Sequence, residues 1–381
     1  MKITLDRTPE QVELIKAMAS KNRDVAYEAQ TALAEFIGPV LAEVINTAPT
    51  VSNMFSALQF NSDESPSIPL DLYHDITDED YIQVWSQSVP GGLPTNQVAP
   101  SQSELKFTTY TLDSALSFDK RYASRSRLDV VSKTFTRMAQ EILLKQEKTS
   151  ATMIMSALAK ATTNTEKHVI RSAQAGRFLL SDLNKLFTRA KRINTAWNGG
   201  TPAERRGRGI TDILVSPEIV EEIRGLAYNP INTIGGAGGA PTAGDGIAAT
   251  DSMRDAVFNS AGIPEFYGVS ILEFNEMGVN QKWNTVFGTA AVDETFDDNY
   301  SVQANLGNKQ GIQGTEQIIV GVDLSRESMI RAIATDSDSG EEFSLIADDQ
   351  FVTRQSKIGY YGSLEEGRMI IDDRVLLGLI V

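Results

Sequence analysis

Residues able to do chemistry are few and scattered in this chain. It has two histidines, His74 and His168, and no cysteine. Thiolate metal sites, disulfides and a cysteine nucleophile are therefore excluded, a usage that suits a protein made in a reducing compartment. Both histidines stand in polar, irregular stretches far from any patterned carboxylate or serine, so they read as surface residues and not as halves of a metal site. No Gly-x-Ser-x-Gly elbow occurs. Gly235-Gly236-Ala237-Gly238-Gly239 lacks the Lys-Ser/Thr pair of a phosphate loop and neither follows a clear strand nor opens a helix, so it reads as flexible loop. Asp336-Ser337-Asp338-Ser339-Gly340-Glu341-Glu342 begins like a calcium loop, but glycine sits at the third ligand position and strands flank it. Its Asp, Ser and Gly predict a turn between Ile333 and Phe343. Arg205, Arg206 and Arg208 lie on a glycine-rich loop, and in an acidic protein they read as meeting acidic residues of a neighbouring surface. No catalytic residue, metal ligand set or cofactor motif emerges, which disfavours an α/β enzyme.

The totals point the same way. The 381 residues are 41% hydrophobic, enough for a core and for two domains of ordinary size. A net charge of −15 argues against a surface that grips nucleic acid as a whole, although local basic patches are compatible with it. There is no cationic apolar leader at Met1 and no apolar run near the ~20 residues of a membrane span, so the expectation is a soluble protein that begins in the cytoplasm.

The longest element expected is a helix from Ser126 to Ala161. Ser126-Arg127-Leu128-Asp129 has the spacing of a capping box, and Leu128, Val131, Phe135, Met138, Ile142, Ala151, Ile154, Leu158 and Ala161 form an apolar stripe. Lys145, Gln146 and Thr149 interrupt the stripe, which predicts a middle section facing solvent or another subunit. Upstream, Thr8-Pro9-Glu10-Gln11 starts a helix expected to run to Ile37, where Gly38-Pro39 breaks it before a short helical piece from Val40 to Asn46. Its thin stripe suggests a segment that docks late or on a neighbour.

Ser62 to Asp80 reads as a solvated loop. Tyr81 to Val89 and Glu104 to Leu112 read as two strands joined by a long Pro/Gly link, and such a ribbon is at best marginally stable unless it lies on something. Its residues Ile82, Val84, Trp85, Leu105, Phe107 and Tyr110 need cover, and an adjacent subunit is the expected source. Ser114 to Asp119 is a third short strand. Ser181-Asp182-Leu183-Asn184 caps a helix to Trp197. Ile213-Leu214-Val215 with the helix from Ser216-Pro217 forms a strand, tight turn, helix unit. Phe266 to Phe274 is a strand, and Ile318 to Val322, Ser328 to Thr335, Glu342 to Ala347, Phe351 to Ile358 and Val375 to Val381 close the chain as strands.

That order of parts resembles the major capsid proteins of tailed bacteriophages, whose fold is shared with encapsulin shells and the floor of herpesvirus capsids. Ile213-Leu214-Val215-Ser216-Pro217-Glu218 and the stretch from Ile358-Gly359-Tyr360-Tyr361 to Val381 also look like the family. The resemblance implies an α+β fold with an N-terminal arm (1–60) and an extended-loop region (61–120, ribbon 81–112). A peripheral domain (121–180) follows with its spine helix at 126–161, then an axial domain (181–313) carrying the glycine-rich loop, and closing strands (314–381). It implies a structural protein that assembles with itself into hexamers and pentamers of an icosahedral head. Double-stranded DNA would lie inside in weak direct contact, with a separate scaffold protein, a portal and a cement protein as partners. The location would be the virion, assembled in the host cytoplasm. Lys106, the only lysine of the ribbon, stands within a strand and not at the tip, which speaks against the lysine–asparagine cross-link that some members form. An encapsulin-type compartment holding cargo is the alternative.

Overall fold

The computed structural model describes residues 8–47, 51–69, 104–163, 166–172, 176–193, 209–228, 265–266, 268–296, 309–325, 328–336, 340, 342–348 and 356–381. The chain divides into two compact units. One comprises Met1–Leu72, Pro100–Ala151 and Met329–Ile371, the other Tyr73–Ala99, Thr152–Ser328 and Asp372–Val381.

In the first unit, helices α1 (Pro9–Met18) and α2 (Arg23–Thr47) replace the single long helix expected. Thr8 caps α1 by accepting from Gln11 N. The break comes at 19–22 because Ser20 Oγ accepts from Asn22 N and Asn22 Oδ1 accepts from Asp24 N, local bonds that compete with helix and start α2. Gly38-Pro39, the expected breaker, lies inside α2. Pro39 is on an exposed face, where the Glu35 carbonyl left without a helical donor can turn to water. Neither helix waits for a neighbour: Ile15, Met18, Leu33, Ile37 and Leu41 are buried in the unit's own core. Phe36 is 56% exposed.

The core sheet is organised on a 14-residue strand, β16 (Lys357–Ile370). Strand β4 (Thr109–Asp119) runs antiparallel along one edge of it, from Lys357↔Asp119 to Gly367↔Thr109. Strands β14 (Met329–Thr335) and β15 (Ser344–Asp348) share the other edge end to end, and β1 (Ser56–Asn61) extends the sheet parallel to β14. The sequence placed a strand at Phe351–Ile358; 351–355 lie outside the described residues, and the charged and glycine-rich run from Ser363 to Arg368 hid the strand that is present. The expected ribbon strand Glu104–Leu112 also divides. Its first part is β3 (Glu104–Lys106), paired with β2 (Ser67–Pro69) inside what reads as solvated loop. Its second part continues without a break into the predicted third strand to form β4. The division falls at Phe107, whose N–H goes to the Pro66 carbonyl instead of the main ladder. A Cβ on Gly367 would stand 2.9 Å from the Thr108 carbonyl oxygen, so only glycine permits this close crossing.

Helix α3 (Lys120–Ser124), capped by Asp119, precedes the long helix α4 (Leu128–Lys160), whose 33 residues span ~50 Å. The capping box is not formed. Ser126 has a φ of 54° and its buried hydroxyl has no hydrogen-bond partner among the described residues. The predicted stripe is buried from Val131 to Ile142 and again from Ala151 to Ala161. The middle differs from expectation: Gln146 and Ser150 are fully buried, so the stripe turns polar there without turning outward.

The second unit holds a six-stranded sheet in the order β7 (Val169–Arg171), β17 (Leu376–Ile380), β13 (Ile318–Val322), β8 (Asp212–Val215), β10 (Val269–Glu273), β9 (Glu265–Phe266). Helices α5 (Leu180–Ile193) and α6 (Pro217–Tyr228) contribute Leu183, Leu186, Ile219 and Ile223 to its core. The strand, turn, helix unit is as read from sequence: Ser216 Oγ accepts from Ile219 N at 3.3 Å and donates to Gln317 Oε1 at 2.6 Å. The C-terminal strand is fully buried between β7 and β13.

Candidate functional site

The chain passes from β2 to residues 70–103 and returns at β3, so both ends of that excursion are held at one place. Ile82, Val84 and Trp85 fall within it and lie outside the described residues, as do Arg205, Arg206, Arg208, His74 and the glycine-rich loop. Leu105 is half-buried in β3. Phe107 is 6% exposed and packs with Phe60, Ile330, Ala332 and Ala334, with Ile68 beside them. Tyr110 is partly buried against the core sheet. The cover that Phe107 and Tyr110 require is thus supplied within the first unit, through the split of the ribbon strand into β3 and β4, before any second subunit is involved.

The Tyr110 hydroxyl enters a charge network that sequence reading missed. Glu366, fully buried on β16, accepts from Tyr110 Oη at 2.9 Å, from Gln146 Nε2 at 3.0 Å and from Arg331 Nε at 3.0 Å. Arg368, two residues on, donates to both oxygens of Glu366, to Tyr110 Oη and to Ser52 Oγ. Two guanidiniums therefore share one carboxylate in a buried site, and each hydrogen bond there is charge-assisted. Burial is the main cause that pushes the Tyr110 hydroxyl up to about 12, so it stays a neutral donor; burial also lowers Arg331. The network joins β4, α4, β14, β16 and the 3₁₀ turn Val51–Met54, and it sits just after the ribbon's root. One sequence signal was available: Arg331 stands alone in the apolar run Met329-Ile330-Arg331-Ala332-Ile333, and a charge in such a strand needs a buried partner.

Three surface features of the first unit bear on contact with other molecules. Tyr361 and Ile346, cross-strand partners on β16 and β15, are 39% and 54% exposed. Tyr122 of α3 is 45% exposed. Between α1 and α2 lies an apolar groove of about 300 Å³ lined by Leu14, Ile15, Ala32, Leu33 and Phe36, with Glu10 and Gln11 at its edge.

In the second unit, His168 is not the surface residue expected. It is fully buried, with Nδ1 3.1 Å from the carbonyls of Asp373 and Leu376 and Nε2 2.7 Å from Thr163 Oγ1. Two carbonyls can only accept, so Nδ1 carries the proton and Nε2 accepts from the threonine. Burial is the main cause that holds its pKa below the ordinary value. A neutral folded histidine makes stability fully present above the unfolded value near ~6.5 and lost as pH falls below it, because the unfolded chain takes up a proton that the folded one refuses. The unfolding free energy of the second unit from urea titrations is expected to fall between pH 7.5 and 5.5, by no more than the one-proton limit of ~1.4 kcal/mol per pH unit. The slope should flatten in His168→Gln; an equal slope in both proteins would rule this origin out. Among the described residues no group of three or more His, Cys, Asp or Glu could hold a metal ion, and no helix is long and apolar enough to cross a membrane.

No family model and no curated protein matches the chain. Solved structures do. The capsid of an empty GTA particle is 12% identical with a TM-score of 0.47, covering 87% of this chain and 89% of its own. The capsid of the cyanophage P-SCSP1u is 12% identical with a TM-score of 0.45 and 86% coverage of each chain. The holo-SrpI encapsulin of Synechococcus elongatus PCC 7942 is 11% identical with a TM-score of 0.43, covering 90% and 94%. The chain is similar in course to capsid and encapsulin proteins.

Proposed function

We propose that this chain is the subunit of a closed protein shell of the phage-capsid type. The observation that supports it most is the root of the ribbon. Two three-residue strands, β2 and β3, bring the chain on either side of residues 70–103 together, on a unit whose core is already complete in α1, α2, α4 and the β16 sheet. That segment reads as strand and Pro/Gly link, with Ile82, Val84 and Trp85 among its side chains, and burying each such side chain is worth ~1.5–3 kcal/mol. A shell repeats one such contact over every copy. Hexamers and pentamers, enclosed double-stranded DNA, a scaffold, a portal, a cement protein and assembly in the host cytoplasm belong to the same proposal. The acidic balance of the chain fits a wall to which packaged DNA is not glued.

Deleting residues 90–102 is expected to leave a folded protomer, with a melting temperature within ~2 °C of wild type because the core loses nothing, and to abolish closed shells in electron micrographs. Normal shells from the deletion would remove the interlocking role of the ribbon. Nuclease-protected DNA inside purified shells is the expected content; a protein cargo in its place would favour the encapsulin-type reading.

A further inference from the structure

The stretch Lys120–Arg137 is a local reversal of the chain's charge. Its basic residues Lys120, Arg121, Arg125, Arg127, Lys133 and Arg137 face one acid, Asp129, giving +5; the whole chain carries −15, so the remainder carries −20. The side chains are accessible: those of Arg121 and Arg127 are 78% and 62% exposed, and Arg125, Lys133 and Arg137 are exposed. Arg121 leans on Asp119 and Arg127 lies 3.9 Å from Asp129, whereas Arg125, Lys133 and Arg137 make no ion pair among the described residues. Tyr122 projects from the middle of this basic surface, nearly half exposed.

The α1–α2 groove has the opposite character. Its floor is apolar, its edge carries Glu10, and Glu28 lies one turn before Ala32 on the same row of α2 that continues to Phe36 and Val40. Glu35 flanks that row. Glu10, Glu28 and Glu35 are exposed and make no ion pair among the described residues, and Phe36 and Val40 are 56% and 40% exposed. An apolar hollow with an acidic edge calls for an apolar knob in a basic collar, and this chain carries one.

We propose that the α1–α2 groove of one copy receives Tyr122 of a second copy, with Arg125 and its basic neighbours meeting Glu10, Glu28 and Glu35. The inference rests on the shell-subunit reading and names one contact within it. Tyrosine and arginine are the residue types that dominate interface energy when they fill a pocket, and the unpaired charges on both sides add steering. A knob and a hole on different surface patches make a heterologous contact, which closes into rings when the rotation allows. A polyanion such as duplex DNA is the competing occupant of the basic surface. It would have to approach against the −20 of the rest of the chain and would leave the groove uncovered.

The test is charge reversal and rescue in the full chain, with melting curves to confirm folding. Arg125→Glu alone and Glu28→Lys/Glu35→Lys alone are each expected to raise the protein concentration needed for assembly at least tenfold by light scattering. Combining all three substitutions is expected to bring it back to within about threefold of wild type. Failure of the combination to recover, or assembly of either parent at the wild-type concentration, overturns the contact. Shells that form normally in both parents yet fail on deletion of 90–102 would overturn this contact and leave the shell reading standing. A wild-type chain that remains monomeric under all conditions would overturn both. If Arg125→Glu instead assembles normally but loses binding to a 30-base-pair duplex, the surface belongs to nucleic acid and the proposal is wrong.

Discussion

Glu366→Ala is expected to destabilise the first unit by about 3–5 kcal/mol, because it leaves two buried guanidiniums without their common anion. Arg331 and Arg368 are 4% and 5% exposed, and neither can reach bulk water without opening the sheet. The loss is not that of one ion pair. Gln146 Nε2 and Tyr110 Oη lose their acceptor as well, and each buried donor left unpaired adds a desolvation penalty of ~1–3 kcal/mol. Glu366→Gln keeps the shape and one acceptor oxygen but removes the charge, so it should fall between wild type and alanine. Replacing Arg331, Glu366 and Arg368 together by apolar residues of similar volume is expected to cost far less than Glu366→Ala, since a missing network is cheaper than a broken one. The measurement is the melting transition of the isolated protomer, where Glu366→Ala should show a downshift on the order of 10 °C for a unit of this size. A shift under 2 °C would mean that the arginines find another anion, and the network described above would not be what holds β4, α4 and β16 together.

The two halves of α4 show what sequence could and could not reveal. Its apolar stripe was legible because helical periodicity repeats every three or four residues, and Val131, Phe135, Met138 and Ile142 are buried as the spacing requires. The polar middle was misread for the same reason. A glutamine between two apolar halves has no local signal that distinguishes solvent from a buried glutamate, and the partner of Gln146 lies 220 residues away. Strand β16 was hidden by Glu365, Glu366 and Arg368, which look like surface charges until Arg331 and Tyr110 are brought beside them. The ends of helices depended on competition that composition does not decide. Ser20 and Asn22 stopped a helix that Gly38-Pro39 did not, and Ser126 took a left-handed turn instead of capping. Apolar runs without such competition were legible throughout: β8 with α6, β13 and the buried C-terminal strand. Of the contact residues inferred from sequence, Phe107 and Tyr110 looked like ribbon residues because their strand continues the alternation. The pairing of β4 with the distant strand β16 and the cluster of Phe60, Ile330, Ala332 and Ala334 turn them into their own unit.

Phe135→Ala is expected to have an effect of similar size, about 3–5 kcal/mol, through a different mechanism. Phe135 is fully buried on α4 and meets Tyr360 of β16 edge to face, with ring centroids 5.3 Å apart and planes at 63°. Tyr360 in turn lies against Phe118 of β4 at 6.3 Å, so three rings connect the long helix to the paired strands β4 and β16. Two residues along β16 the helix approaches so closely that a Cβ on Gly362 would stand 2.1 Å from Met138 Cε, so the wall around Phe135 has little freedom to collapse into the space it leaves. A site that cannot collapse keeps its cavity, and the cost then lies toward the upper end of the range. A double-mutant cycle with Tyr360→Ala isolates the ring contact, for which a coupling of ~0.5–1.5 kcal/mol is expected beyond area burial. Tyr360→Phe serves as the control. The buried Tyr360 hydroxyl has no hydrogen-bond partner among the described residues and burial pushes its ionisation far above the ordinary range, so removing the oxygen should be neutral or slightly stabilising. Urea unfolding of the protomer reads all four variants: the two single alanine mutants, their combination and Tyr360→Phe. If Phe135→Ala unfolds within 1 kcal/mol of wild type, α4 is not held on the sheet by these rings, and the rigidity of the first unit has to come from the Glu366 network alone.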